Sequence, residues 1–422
     1  MLVDFSFENF GPFRDKTVFS MDSTKLDGPE CNKVKAEKCN LELLSSAAIF
    51  GPNASGKSYA LKAMDVLQNL VRAPMPPNVK IPYYMPFRAS SGSLRSPTKM
   101  GIRYTVDDIV YRYGISFDSE RIVSESLCYE PNGRPISVFV RSGQEFEFKN
   151  RTVSKGLKMI SQMAAPSSAF LPIATQYNNE VCRNAHKGIV SDIILLGSNI
   201  SAIMNQVIAR TNEDPDFRRS MLRALKIADF GISDIQGNVM KKKVSEFGEV
   251  FPPQAIGLML SSGITDIDQV TLNLKHDFKD ADVDSGQLYF PFDIESNGTM
   301  QFFCLMGPVI DALKNGSVLF LDEFGSYLHS EIGKWVIRQF RDSANPNHAQ
   351  LVFSSNDQDL MDKELLRRDQ IWFTQKDSDT GASELYCLSD FNGLRPDTDI
   401  RKCYTAGKYR ALPYVLPEDL LG

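Results

Sequence analysis

The decisive stretch is Gly51-Pro52-Asn53-Ala54-Ser55-Gly56-Lys57-Ser58. It fits the GxxxxGK[ST] spacing of a phosphate-binding loop. Glycines let the backbone wrap an anion, and successive N–H groups at a helix start bind its oxygens. In that chemistry Lys57 reaches the β- and γ-phosphates and the Ser58 hydroxyl ligates Mg²⁺. The flanks agree. Ser46-Ala47-Ala48-Ile49-Phe50 is a short apolar run that predicts a buried strand entering the loop. Beyond it Ala60, Leu61, Met64, Leu67, Leu70 and Val71 recur at helical spacing. A helix from Lys57 to Arg72 is predicted, ending near Ala73 because Pro74-Met75-Pro76-Pro77 forbids continuation.

Moving outward, Val318-Leu319-Phe320-Leu321-Asp322-Glu323 is an apolar strand ending in two acids. Asp322 suits a magnesium ligand, directly or through water, and Glu323 suits the group that polarises an attacking water. Upstream, Glu295-Ser296-Asn297-Gly298-Thr299-Met300-Gln301 precedes an apolar helix. It reads either as an ordinary helix cap or as a second phosphate-binding helix start. In the second reading Ser296 and Gly298 contact the γ-phosphate held by a partner subunit. Finally, Leu351-Val352-Phe353-Ser354-Ser355-Asn356-Asp357 predicts a strand whose polar tip faces the γ-phosphate.

Elsewhere the pattern changes. Residues 2–7 and 17–21 predict strands, and 100–148 predict an antiparallel meander separated by Asp-Asp, Asp-Ser-Glu and Pro-Asn-Gly turns. Residues 190–228 read as helical, and Lys241-Lys242-Lys243 as a solvated loop. After residue 290 strands and helices alternate, which implies a covered parallel sheet with a β edge.

Composition narrows the class. The chain has 422 residues, 42% apolar and 23% charged, with a net charge of −5, so it carries ample material for a core and no overall nucleic-acid-coating surface. No apolar run is long enough for a membrane-spanning helix, and no secretory leader is seen at the N-terminus. Seven scattered cysteines without a CxxC read as reduced thiols in a cytoplasmic protein.

The order of phosphate loop, Ser-x-Gly-Thr signature, Asp-Glu strand and switch strand resembles the ATP-binding-cassette type of ATPase in its SMC/OLD-like branch. More narrowly, the chain resembles bacterial AAA-family ATP-binding proteins of the RloA and AbiL kind, including the ATPase of the PARIS phage-defence system. Further matching stretches are Glu8-Asn9-Phe10-Gly11-Pro12-Phe13-Arg14-Asp15, Pro86-Phe87, Ser124-Glu125-Ser126-Leu127, Leu225-Lys226-Ile227-Ala228-Asp229-Phe230-Gly231-Ile232 and Asp369-Gln370-Ile371-Trp372-Phe373-Thr374. The last is the tail Arg401-Lys402-Cys403-Tyr404-Thr405-Ala406-Gly407-Lys408-Tyr409-Arg410-Ala411-Leu412-Pro413. The expected fold is α/β, a phosphate-loop ATPase head with an inserted antiparallel meander and a helical lobe. Expected divisions are 1–73 and 295–422 for the head, 74–150 for the meander and 151–294 for the helical lobe.

The resemblance implies ATP and Mg²⁺ as ligands, and two heads sandwiching two nucleotides. It also implies a defence role with a separate toxin or nuclease effector and a phage-derived trigger. Asn356 stands where the family usually carries His, which implies slow turnover or ATP used as a clamp, because Asn cannot carry a proton charge as His can. Asn297 stands where the family often has Ser. The glutamine that the family carries in its Q-loop is either Gln176 or lies near Pro86-Phe87-Arg88. A DNA-binding, SMC-like ATPase is the alternative function, through Lys241-Lys242-Lys243 or Arg210, Arg218, Arg219 and Arg223. A solvated helix face explains those arginines equally well.

Overall fold

A computed structural model describes residues 1–36, 39–197, 203–228, 230–248, 251–277, 288–395 and 398–412. The chain divides into two compact units, Met1–Ser198 with Ala312–Gly422, and Asn199–Asp311. Pro413, the last residue of the matching tail, and Asp229 lie outside the described residues.

The first unit is built on a six-stranded sheet. Its order is Ile193–Leu196, Val318–Leu321, Gln350–Ser354, Ser46–Phe50, Ile371–Lys376, Ser383–Cys387. The first five strands are parallel and the last pairs antiparallel. Val318–Leu321, Gln350–Ser354 and Ser46–Phe50 are buried at every position. That burial is why they read as unbroken apolar runs and not as alternation.

Helix Lys57–Arg72 follows the phosphate loop and stops where Ala73 turns extended ahead of Pro74. Its buried face is Ala60, Leu61, Ala63, Met64, Val66, Leu67, Leu70 and Val71. The buried amide of Gln68 donates to the carbonyls of Ile189 (2.9 Å) and Ile193 (2.8 Å), which ties the helix to the sheet's far edge.

A seven-stranded antiparallel sheet completes this unit. Leu2–Glu8 pairs with Thr17–Ser20 on one side and Thr98–Val106 on the other. The sheet continues through Ile109–Phe117, Ile122–Glu130, Ile136–Ser142 and Glu145–Glu147. The meander expected as a lobe of its own is therefore continuous with the N-terminal strand. Phe5, Phe7 and Phe19 from this sheet share one apolar core with Ile49, Val318, Val352 and Trp372 from the other. The side chain of Gln350 ties the two together: it accepts from Leu2 N–H at 2.6 Å and donates to Leu44 O at 3.0 Å.

The second unit holds strands Ile232–Lys243, Asp266–His276 and Tyr289–Pro291 in an antiparallel sheet. Helices Met204–Glu213, Pro215–Ile227 and Pro253–Ser261 lie in it, and helix Asn297–Asn315 begins in it.

Two sequence expectations fail here. Residues 193–196 form the edge strand beside Val318–Leu321 and not helix. Ile-Ile-Leu-Leu is too short for its period to decide, and the parallel partner decides instead. Lys241, Lys242 and Lys243 end a strand, and Lys243 stands opposite Asp266 in register. The cross-strand acid makes a strand of what reads locally as a charged loop.

Candidate functional site

The strand Ser46–Phe50 delivers the chain into a loop that only its own residue types permit. Gly51 has φ 150°, and a Cβ there would stand 2.4 Å from the Thr374 carbonyl oxygen. Gly56 has φ 115°, with a would-be Cβ 3.0 Å from the Phe13 ring and 3.2 Å from the Ser383 hydroxyl. Ala54 also takes positive φ. The Ser55 hydroxyl is buried and hydrogen-bonds Thr374 Oγ1 at 2.5 Å. Gly56 brings no side chain to cap the helix, so the first-turn N–H groups of Lys57–Arg72 keep their capacity for an anion.

Lys57 Nζ donates to the carbonyls of Gly51 (2.7 Å) and Pro52 (3.0 Å). Burial pulls the lysine's pKa below its ordinary value, while the Asp322 and Glu323 carboxylates push it back.

The Asp-Glu pair is held by the neighbouring strand. The Ser354 hydroxyl donates to Asp322 Oδ1 at 2.5 Å and accepts from Glu323 N–H at 2.9 Å. Phe324 N–H donates to Ser354 O, and the Ser355 hydroxyl donates to Phe324 O, each at 2.8 Å. These bonds secure Glu323 at φ 55°, a conformation costly for a residue with a Cβ. Strain of that kind persists only where the surroundings over-determine it, and here four hydrogen bonds between adjacent strands do so.

A cavity of 770 Å³ lies against the loop, lined by Lys57, Ser58, Tyr59, Arg88, Glu323 and Asn356 among others. A second, of 780 Å³, lies on the loop's other flank and includes Gln375, Tyr404 and Arg410. Asn53, Ala54, Asn356 and Lys376 line both. The donor set suits a nucleoside triphosphate with a hard cation: loop N–H groups and Lys57 are donors of the kind phosphate takes, and the Ser58 hydroxyl and Asp322 carboxylate are oxygen ligands of the kind Mg²⁺ takes.

The first unit thus gathers Gly51, Pro52, Asn53, Ala54, Ser55, Gly56, Lys57, Ser58, Asp322, Glu323 and Asn356. Ser296 and Gly298 belong to the second unit. There Ser296 caps helix Asn297–Asn315: its hydroxyl accepts from Thr299 N–H at 3.1 Å, and its carbonyl from Met300 N–H at 3.0 Å. Glu295 beside it meets His276 Nε2 at 2.8 Å.

Of the two locations for the glutamine loop, Gln176 ends helix Leu171–Gln176 on the surface and lines neither cavity, whereas Pro86, Phe87 and Arg88 line the first. Asn9, at φ 54°, places that segment. Its side chain accepts from Phe87 N–H (3.0 Å) and donates to Ser93 O and Ser96 O (2.8 Å each).

The positioning roles of Ser354, Thr374 and Asn9 escape sequence reasoning. Each acts on a residue far along the chain, so no local spacing announces it. Among the arginines weighed for DNA, Arg210 pairs with Asp311, Arg218 with Asp234 at 2.7 Å, and Arg219 with Asp216. Their charges are answered within the second unit.

Several solved structures are similar to this chain at low identity. An SMC head bound to the C-winged helix domain of ScpA is 13% identical, with TM-score 0.46, covering 92% of this chain and 97% of that one. The SMC head domain from Thermotoga maritima is 14% identical, with TM-score 0.41, covering 92% and 98%. The recombination mediator protein RecF is 10% identical, with TM-score 0.36, covering 91% and 98%. No curated protein matches the chain. The family model described as "AAA domain, putative AbiEii toxin, Type IV TA system" matches residues 46–362, a span that holds the phosphate loop, the signature, the Asp-Glu pair and Asn356. That span is well over half of the chain, and the protein belongs to this AAA-domain family.

Proposed function

We propose that this chain binds and hydrolyses ATP, and that it is the regulatory subunit of a bacterial anti-phage defence system controlling a separate toxin or nuclease effector. The observation that carries the ATPase reading is one cavity faced by Lys57, Ser58, Glu323 and Asn356, with Asp322 fixed beside it through Ser354. The loop N–H groups and Lys57 hold the β- and γ-phosphates. The Ser58 hydroxyl and the Asp322 carboxylate would hold Mg²⁺, which would supply charge neutralisation at the phosphate oxygens. Glu323 accepts the proton of a water aimed at the γ-phosphorus, and Asn356 donates a hydrogen bond to a γ-oxygen.

The signature then has a role in assembly. A capped helix start with Ser296 and Gly298 suits the γ-phosphate of a second head, so ATP joins two copies and hydrolysis releases them. What supports the defence role is the wording of the family description, which mentions a putative AbiEii toxin and a type IV toxin–antitoxin system. No helix among the described residues is long and apolar enough to cross a membrane.

Purified protein should hydrolyse ATP, and Lys57→Ala should abolish this. Turnover that survives Lys57→Ala, or its absence with and without partner proteins, would defeat the ATPase reading. Asn356 favours one second reading, a clamp in which bound ATP holds the assembly and is spent slowly. Asn356→His separates the two: it should raise turnover of a slow ATPase and leave a pure clamp unchanged.

A further inference from the structure

The parallel sheet has a second end. Ile371 stands opposite Ala48 and Phe373 opposite Phe50. Residues 363–370 therefore lie at the start of strand Ile371–Lys376, while the phosphate loop follows the finish of its parallel neighbour. The two are separated by the length of a five-residue strand, roughly 16 Å. At that base a cavity of 480 Å³ is lined by Arg341, Lys363, Arg367 and Arg368, with Asp27 and Glu364 as the acids.

Arg367 is 1% exposed. Its Nε and Nη2 are committed to Asp369, at 3.0 and 3.1 Å, and Nη2 also to Leu26 O at 2.8 Å and Thr24 O at 3.1 Å. Its Nη1 is buried and makes no hydrogen bond. The Glu30 carboxylate stands 3.6 Å away on a side chain that is 75% exposed. Arg341 repeats the pattern: Nη2 donates to Glu364 O and to Leu365 O, and its buried Nε has no partner. Arg368 is oriented by the carbonyls of Leu394 and Arg395, which fix the guanidinium without cancelling its charge.

Buried guanidinium donors left unmatched are costly, and native proteins keep few of them. Gly28 maintains the opening, since a Cβ there would stand 2.8 Å from Arg367 Cγ and 3.4 Å from Nη1. Four cations line the concavity with Asp27 and Glu364, while Asp369 and Glu30 answer Arg367 from beside it; three of the cations are guanidinium forks, whose geometry suits phosphate oxygens.

We infer that this basal cavity binds a small phosphate-bearing anion, either inorganic pyrophosphate or the phosphate end of a nucleotide. The anion engages Arg367 Nη1 and Arg341 Nε, with Lys363 and Arg368 at the mouth, and it displaces Glu30. The site is separate from the proposed ATP site and does not depend on that reading.

The test is calorimetric titration of Mg²⁺-free pyrophosphate into the full chain carrying Lys57→Ala, which removes the phosphate loop's lysine. One site should remain. Adding Lys363→Glu should weaken it about tenfold, by loss of one charge-assisted contact. Adding Glu30→Gln should tighten it several-fold, because the competing carboxylate is gone. Lys363 and Glu30 are both exposed, so neither change threatens folding. Competition by AMP equal to that of pyrophosphate identifies a nucleotide's phosphate, and its absence identifies the inorganic anion. No binding in the Lys57→Ala protein, or binding indifferent to Lys363→Glu, overturns the inference. ATP turnover of the Lys363→Glu single variant should match the parent whichever way the titration falls.

Discussion

The two compact units place their candidate phosphate-binding residues by different means. In the first, the loop sits at the end of a fully buried strand, its glycines are locked against Thr374 and Phe13, and the acids are clamped by a buried serine of the next strand. In the second, Ser296 is placed by a local helix cap, and helix Pro253–Ser261 buries none of its residues, with Leu258 69% exposed. The phosphate loop and the Asp-Glu pair are fixed by long-range packing, whereas Ser296 is fixed by its own turn of helix.

That contrast can be broken at graded strength. Lys57→Ala should take ATP turnover below detection, a loss of at least roughly 10³-fold on the scale of losing a charged transition-state donor, as read by phosphate release. Glu323→Gln should cost roughly 10²-fold while leaving ATP bound, and size-exclusion chromatography with ATP should show the assembled species accumulating. Ser354→Ala should lose about 1–3 kcal/mol of stability in urea unfolding, because Asp322 and the Glu323 N–H both lose a buried partner, and turnover should fall as well. Ser296→Ala should cost about 1 kcal/mol, the ordinary value of a cap, with ATP affinity of the isolated chain unchanged. Leu258→Asp should lie within about 0.5 kcal/mol of the parent. If Ser296→Ala proved as damaging to stability as Ser354→Ala, the distinction between packed and locally capped placement would collapse.

Sequence reading reached the first unit's centre with little loss. Helix Lys57–Arg72 carries its punctuation on its face, with glycine before and prolines after, and Gln350–Ser354 is apolar enough to announce itself. What escaped it was whatever depends on a distant partner. Ile193–Leu196 becomes a strand only beside Val318–Leu321. Ser55 and Thr374 meet across 319 residues, and the orientation of Asp322 depends on a serine 32 residues further on. Periodicity and motif spacing register neighbours along the chain, whereas these groups are neighbours only across it.

The sheet order has a consequence for synthesis. Ser46–Phe50, the strand that presents the phosphate loop, has Gln350–Ser354 on one side and Ile371–Lys376 on the other. A chain still on the ribosome with its first 300 residues emerged has made the loop and neither of its flanking strands. Until residues 350–376 are translated, Ser46–Phe50 presents two apolar edges open to unwanted pairing. Competence to hold nucleotide therefore waits for those two strands, and a chain broken off before residue 350 should never acquire it.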